Sequence, residues 1–205
     1  MKRVTPTRME LLRFRRRRDL AKRGHRLLKD KLDGLIQKFL GVVKEYRELS
    51  GGMEQELVAI FRKLAIASAL TSPEILAQIE QFPQCQALVD MKVVNLMGVK
   101  VPKYKLELQG HPISYGFTET SAELDEGLLQ FKNILPKLVK LGELNKNIIA
   151  LASAIIETKR RVNALEYILI PELEDAVRLI RMKLAEMERE TIVSLMKIKE
   201  LVRAR

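Results

Sequence analysis

The densest chemistry in this chain is a run of guanidinium groups. Arg13, Arg15, Arg16, Arg17 and Arg18 surround Phe14, and Lys22, Arg23 and Arg26 follow. Permanent positive charge at that density can neutralise phosphates or dock on an acidic surface. Few aromatics accompany it, so the run is weak support for nucleic-acid binding; a solvated helix end or a docking face for an acidic protein competes with that reading. An anionic membrane is a further candidate partner, disfavoured because no strongly apolar face goes with the charge. The remaining reactive residues do not assemble. His25 and His111 are far apart and have no cysteine cluster near them, whereas a metal site needs three or four converging ligands. Cys85 is the lone cysteine, so an intramolecular disulfide is impossible and a reducing setting fits. Gly51-Gly52 lacks the Lys-Ser/Thr that completes a phosphate loop. The carboxylates from Glu186 to Glu190 alternate with basic residues as on a solvated helix face. No catalytic, cofactor-binding or metal-binding residue is expected, and an enzyme is disfavoured.

The elements that position these residues follow from the prolines. None lies between Pro6 and Pro73; Pro73, Pro83, Pro102 and Pro112 then crowd the middle, and Pro136 and Pro171 come later. Because proline removes a helical hydrogen bond and clashes with the preceding turn, the chain divides in three. Residues 1–71 form an N-terminal coiled-coil helix from about Thr7, residues 72–120 a central cap, and residues 121–205 a C-terminal coiled-coil helix, all within one structural domain. In the first helix Leu28, Leu32, Leu35, Phe39, Val42, Tyr46, Leu49 and Met53 alternate in steps of four and three, the rhythm of a left-handed coiled coil. Met53 to Leu57 is a second step of four, a stutter beside the weak helix formers Ser50-Gly51-Gly52. The last helix has a matching run, Ile148, Leu151, Ile155, Thr158, Val162, Leu165 and Leu169, with Leu173 again four on, next to Pro171. Each helix would be on the order of 100 Å or longer, and amphipathic helices need a packing partner. An antiparallel pair is the economical answer, and simple counting sets Gly51 and Gly52 opposite Asn163 and Ala164.

In the middle, Ser72-Pro73-Glu74 opens a short helix. Val93–Met97 and Tyr104–Leu108 flank Gly98-Val99-Lys100-Val101-Pro102, and their β-branched alternation predicts a small hairpin. The expected fold is therefore mainly α: a long two-helix antiparallel coiled coil with a short helix and a β-hairpin at mid-chain. Composition agrees. Of the 205 residues, 47% are hydrophobic and 31% charged but only 5% aromatic, with no Trp, which suits a seam of aliphatic residues between long helices. The net charge of +11 belongs to the first 50 residues, which hold 16 Lys/Arg against 6 Asp/Glu. The opening residues lack the apolar core of a signal peptide. The longest uncharged apolar stretch, around Ile148–Ile156, is about half a membrane span.

Several segments, in order, resemble the D subunit of V-type and archaeal A-type ATPases. They are Thr5–Leu12, Leu20–Lys31, the Gly98-Val99-x-x-Pro102 element, Thr158–Glu166 followed by Ile170-Pro171, Glu188-Arg189-Glu190, and Lys197-Ile198-Lys199. The pattern departs at Ala185, where the family has Asp, and at Thr191, where it has an acidic residue. The chain ends soon after Lys199, as in prokaryotic members. This resemblance implies a non-catalytic central shaft without cofactors. Both coil ends would enter a hexamer of A and B subunits. The middle of the chain would meet the small F subunit and the funnel-like C subunit (d in eukaryotes) on the membrane rotor ring. The shaft would be cytoplasmic and peripheral to the membrane, coupling ATP synthesis or hydrolysis to H⁺ or Na⁺ movement. The resemblance assigns Arg13, Arg15, Arg16, Arg17, Arg18 and Lys22 to the hexamer collar. Arg160, Arg161, Asn163 and Glu166 become mid-shaft contacts, and Gly98, Val99 and Pro102 belong to the hairpin. No nucleic acid and no direct membrane insertion are expected; the alternative is a basic coiled-coil nucleic-acid-binding protein.

Overall fold

The structure, a computed structural model, describes residues 5–81, 84–113, 115–116 and 120–203. It is mainly helical: α1 (Arg8–Leu70), α2 (Pro73–Gln81), β1 (Gln86–Leu96), β2 (Val99–Gln109), α3 (Ala122–Ala164), a π turn (Leu165–Leu169) and α4 (Ile170–Arg203). Two compact units are formed. One joins Met1–Gly34 with Ile156–Arg205, and the other is Leu35–Ile155. Pro83 and the expected helical residues Ala204 and Arg205 lie outside the described residues.

α1 starts where Thr7 and Glu10 make a helix-entry sequence. The Thr7 hydroxyl accepts the Glu10 N–H at 3.2 Å, and the Thr7 carbonyl accepts the Leu11 N–H at 3.0 Å. It stops before Pro73, which itself takes the first position of α2, where no donor is required. Ser50, Gly51 and Gly52 do not interrupt α1.

In the unit Leu35–Ile155, α1 and α3 pack antiparallel. Met53, Ile60 and Ile134 form the buried centre, with Leu57, Leu64, Phe131, Leu138 and Leu141 against it. The expected seam thus survives its stutter, since Met53 and Ile60 are buried and Leu57 is half-buried between them. The alignment is marked by Lys137 on Glu56 at 2.8 Å and Lys63 on Glu126 at 2.7 Å. By that alignment Gly51 falls near Gly142, not Asn163, and a side chain added at Gly51, Gly52 or Gly142 would meet nothing within 4 Å. The expected close approach of small residues is therefore wrong here. A close contact is made at Gly127, where an added Cβ would lie 3.0 Å from Leu64 Cδ2.

The hairpin belongs to the same unit. Its strands are about twice as long as expected, and its turn is the dipeptide Met97-Gly98, with φ of 53° and 87°. Two consecutive positive φ values give the turn whose twist matches the strands, and Asn95 Oδ1 closes it by accepting the Gly98 N–H at 2.8 Å. Gly98 thus sits in the turn, whereas Val99 pairs with Leu96 and Pro102 with Val93 inside the ladder. Pro102 is tolerated because it occupies a position whose N–H would point away from β1. β2 packs inward: Val101 is buried, and Pro102, Tyr104, Leu106 and Leu108 are half-buried. The carboxylate of Glu143 on α3 accepts the Tyr104 N–H at 2.6 Å, and Lys132 donates to the Gly110 carbonyl at 3.1 Å.

In the other unit, Arg8 meets Glu188 at 2.8 Å and Lys22 meets Glu174 at 2.6 Å, again antiparallel. Counting aligned the two helices flush at their termini, but α4 runs from Glu188 on to Arg203 with no part of α1 opposite it. The expected seam also needs one correction. Val162 is buried and Leu165 half-buried, but Leu169 is 42% exposed; the seam resumes at Ile170 and Leu173 and continues through Val177 and Ile180. The π turn supplies the extra residue, and the Ile170 N–H bonds to the Leu165 carbonyl five residues back. Pro171 accounts for its place, since a proline has no N–H for the helix and crowds the carbonyl four residues earlier.

Candidate partner-binding site

The six collar candidates divide into two groups once their partners are visible. Arg13 bonds Glu10 at 3.2 Å, Arg18 bonds Asp19 through two nitrogens at 2.9 and 2.8 Å, and Lys22 bonds Glu174. Arg15, Arg16 and Arg17 have no carboxylate partner among the described residues. Arg16 and Arg17 are exposed, while Arg15 and Arg18 flank the seam and are half-buried. The free charge available to a partner is therefore narrower than the run suggests. Met9, Leu12, Arg13, Arg16 and Arg17 line one shallow groove, and Met9 and Leu12 are 79% and 54% exposed beside those cations. The Lys22 ammonium, hydrogen-bonded to Glu174, holds that carboxyl below its ordinary 4.5; the charges of Arg18 and Arg178 add to the effect.

The mid-shaft candidates also separate. Arg160, Arg161 and Asn163 are exposed on α3, with Arg161 joined to Glu157 one turn earlier. Glu166 lies in the π turn with its carboxylate 3.4 Å from Nε2 of His25, a buried nitrogen without a hydrogen-bond partner. His25 is thus a seam residue, and Glu166 faces α1 while the other three face solvent. The π turn also presents Tyr167 and Ile168 outward, 72% and 59% exposed. Sequence reasoning passed over both; an apolar surplus just before Pro171 was the available signal.

The other feature missed is the end of α4. Ile192, Val193, Leu195, Met196 and Ile198 are each more than half exposed, as are Leu201 and Val202. At 100° per residue they fall on several sides of the helix, interleaved with Lys197, Lys199, Glu200 and Arg203. The hairpin, with Gly98, Val99 and Pro102, lies in the other compact unit. Among the described residues, no three His, Cys, Asp or Glu side chains converge as a metal would require. What the surface offers is contact area: free guanidinium groups, an apolar helix end, and an exposed strand.

A family model described as the ATP synthase D subunit matches residues 10–200. A protein named as the V-type ATP synthase D subunit of Clostridium botulinum (strain Langeland) is 46% identical over 204 residues, covering 97% of this chain and 94% of its own. Namesakes from Fusobacterium nucleatum and Thermoanaerobacter sp. are each 44% identical, covering 97% of this chain and 96% of their own. These names give no support to the nucleic-acid alternative.

Proposed function

The chain belongs to the ATP synthase D-subunit family, and from that premise we infer that it is the central stalk subunit of a V/A-type rotary ATPase. It carries torque between an A–B hexamer that hydrolyses or synthesises ATP and the ion-translocating rotor ring in the membrane. The observation that carries this reading is similarity spanning nearly the full length of both chains. The fold is suited to the task. Paired helices with an internal aliphatic seam resist twisting.

In that role the chain supplies no catalytic group; the A and B subunits do the ATP chemistry. The exposed apolar side chains at the end of α4 would be covered inside the A–B hexamer. Arg15, Arg16 and Arg17 would face acidic groups of the same collar, with Arg13, Arg18 and Lys22 bracing them from their internal pairs. Charge-assisted contacts of this kind favour certain angles without locking them. Arg160, Arg161 and Asn163, with Glu166 holding the π turn, would be touched partway along. The hairpin around Gly98, Val99 and Pro102 would face the small F subunit and the funnel-like C subunit. Among the described residues no helix is long and apolar enough to cross a membrane, so attachment to the cytoplasmic face would come through the complex.

Affinity capture of the tagged full chain from nuclease-treated native extract tests the reading. Recovery of two nucleotide-binding subunits of similar size and a small partner is expected. Replacing Arg15, Arg16 and Arg17 together by Gln should weaken recovery of the first two and reduce the salt dependence of the remaining capture. Capture without any ATPase subunit would overturn the assignment. Undiminished capture by the triple variant would overturn the collar role of those arginines alone.

A further inference from the structure

β1 is an open edge. All of its residues are exposed except Leu96, and Val89, Met91 and Val93 stand 53%, 58% and 60% exposed. An edge strand of 11 residues is long, and such edges are usually blunted by cover, proline or charge. β1 has no proline, and its charges, Asp90 and Lys92, are of opposite sign.

The phase of the ladder settles which backbone groups are free. The hairpin closes with Leu96 opposite Val99 across a two-residue turn, so hydrogen-bonded pairs fall at 96/99, 94/101, 92/103 and onward at every second residue. Asn95, Val93, Met91, Val89 and Ala87 therefore turn N–H and C=O away from β2. β2 keeps the same phase, since Tyr104, opposite Met91, sends its N–H outward to Glu143.

About Met91 the strand is complementary to itself. In an antiparallel pairing centred there, Asp90 lies across from Lys92, Val89 from Val93 and Leu88 from Val94. The outward-facing set matches only its own members: Met91 with Met91, Val89 with Val93, Ala87 with Asn95. Each such pair exchanges two bonds, about ten in all. Asp90 and Lys92 fall between them, at the sites where opposed side chains approach most closely. A further strain is relieved. Within the hairpin Lys92 faces Lys103, a like-charge pair, and Asp90 of a second copy would supply the missing counter-charge.

We propose that the free chain pairs with a second copy of itself, β1 to β1 about Met91, forming a four-stranded antiparallel sheet across a two-fold axis. The pairing covers an edge that would otherwise recruit strands indiscriminately, and it holds the unassembled chain in a defined state. It goes beyond the stalk assignment and does not depend on it.

Analytical ultracentrifugation of the purified full chain, with two charge variants, tests this. Wild type should sediment at twice the 23.5 kDa of one chain. Lys92→Asp should be monomeric at the same concentration, its dissociation constant raised about tenfold or more, even though it removes the Lys92–Lys103 clash in its own hairpin. Asp90→Lys should behave alike. Mixed together, the two variants should regain the dimer, because an Asp-Asp strand then meets a Lys-Lys strand. Three results would each overturn the proposal: a monomeric wild type, a dimer indifferent to Lys92→Asp, or variants that remain monomeric on mixing.

Discussion

Deleting Ile168 while replacing Pro171 by Ala should be nearly neutral, although a residue is lost from the middle of a helix. The π turn holds one residue more than an α-helix needs between Leu165 and Ile170, so the deletion turns a step of five into a step of four. Leu173, Val177 and Ile180 then keep their places in the seam, and the Ala substitution restores the donor that Pro171 lacks. The net change should be less than about 1 kcal/mol. Deleting Asp175 instead, an exposed residue on α4, has nothing to absorb it. Everything beyond rotates by about 100°, carrying Val177 and Ile180, 4% and 1% exposed, into water. At about 2 kcal/mol for each side chain the loss is about 4 kcal/mol. Urea unfolding followed by circular dichroism measures both, and amide exchange at Val177 and Ile180 localises the effect. If the Ile168 deletion costs as much as the Asp175 deletion, the π turn is not a register device.

Three further outcomes are expected. Met97→Asn should stabilise the hairpin by about 1 kcal/mol, because Asn tolerates the left-handed conformation that Met97 adopts with φ of 53°; slower amide exchange along β1 and β2 would register it. Glu143→Gln should weaken the docking of β2 by removing a charged acceptor from the Tyr104 N–H, and exchange at that amide should rise about tenfold. The coil should lose stability in acid. Hydrogen bonding by Lys63 and by Lys22 holds the carboxyls of Glu126 and Glu174 below their ordinary 4.5. Their contribution is present above that pH and disappears as pH falls through the lowered values. Replacing both by Gln should flatten the stability profile below about pH 4.5, as thermal melts across pH would record.

The α1 seam was legible from its spacing because each step from Leu28 to Leu64 obeys a rule that burial also obeys. The same rule misled at Leu169. The second step of four from Leu169 to Leu173, beside Pro171, marks an irregularity there, but that spacing does not say that the helix widens by one residue. The alignment of the two helices was not legible either, because periodicity fixes which face is buried but not which turn meets which. Long-range pairs such as Glu56 with Lys137 hold that information, and many other pairs were equally plausible on paper. The hairpin was recognised from β-branched residues, but its strands were drawn short. The expected strands stop on either side of Gly98–Pro102, whereas Pro102 pairs with Val93 inside the ladder, because every second position of a two-stranded ladder leaves proline's missing donor without consequence. Among the candidate contacts, the basic run was conspicuous, yet which guanidinium groups are already engaged became clear only with Glu10, Asp19 and Glu174 in place.

The π turn bears on how the chain finds its alignment while folding. A coil of uniform heptads can slide by seven residues and bury nearly the same side chains, so misaligned pairings become long-lived traps. In this unit a slide of one heptad would set Arg18 or Leu32 where His25 now meets Glu166, and would part Arg8 from Glu188 and Lys22 from Glu174. One irregularity thereby serves as an index mark: among many near-equivalent ways to zip the helices together, it singles out one.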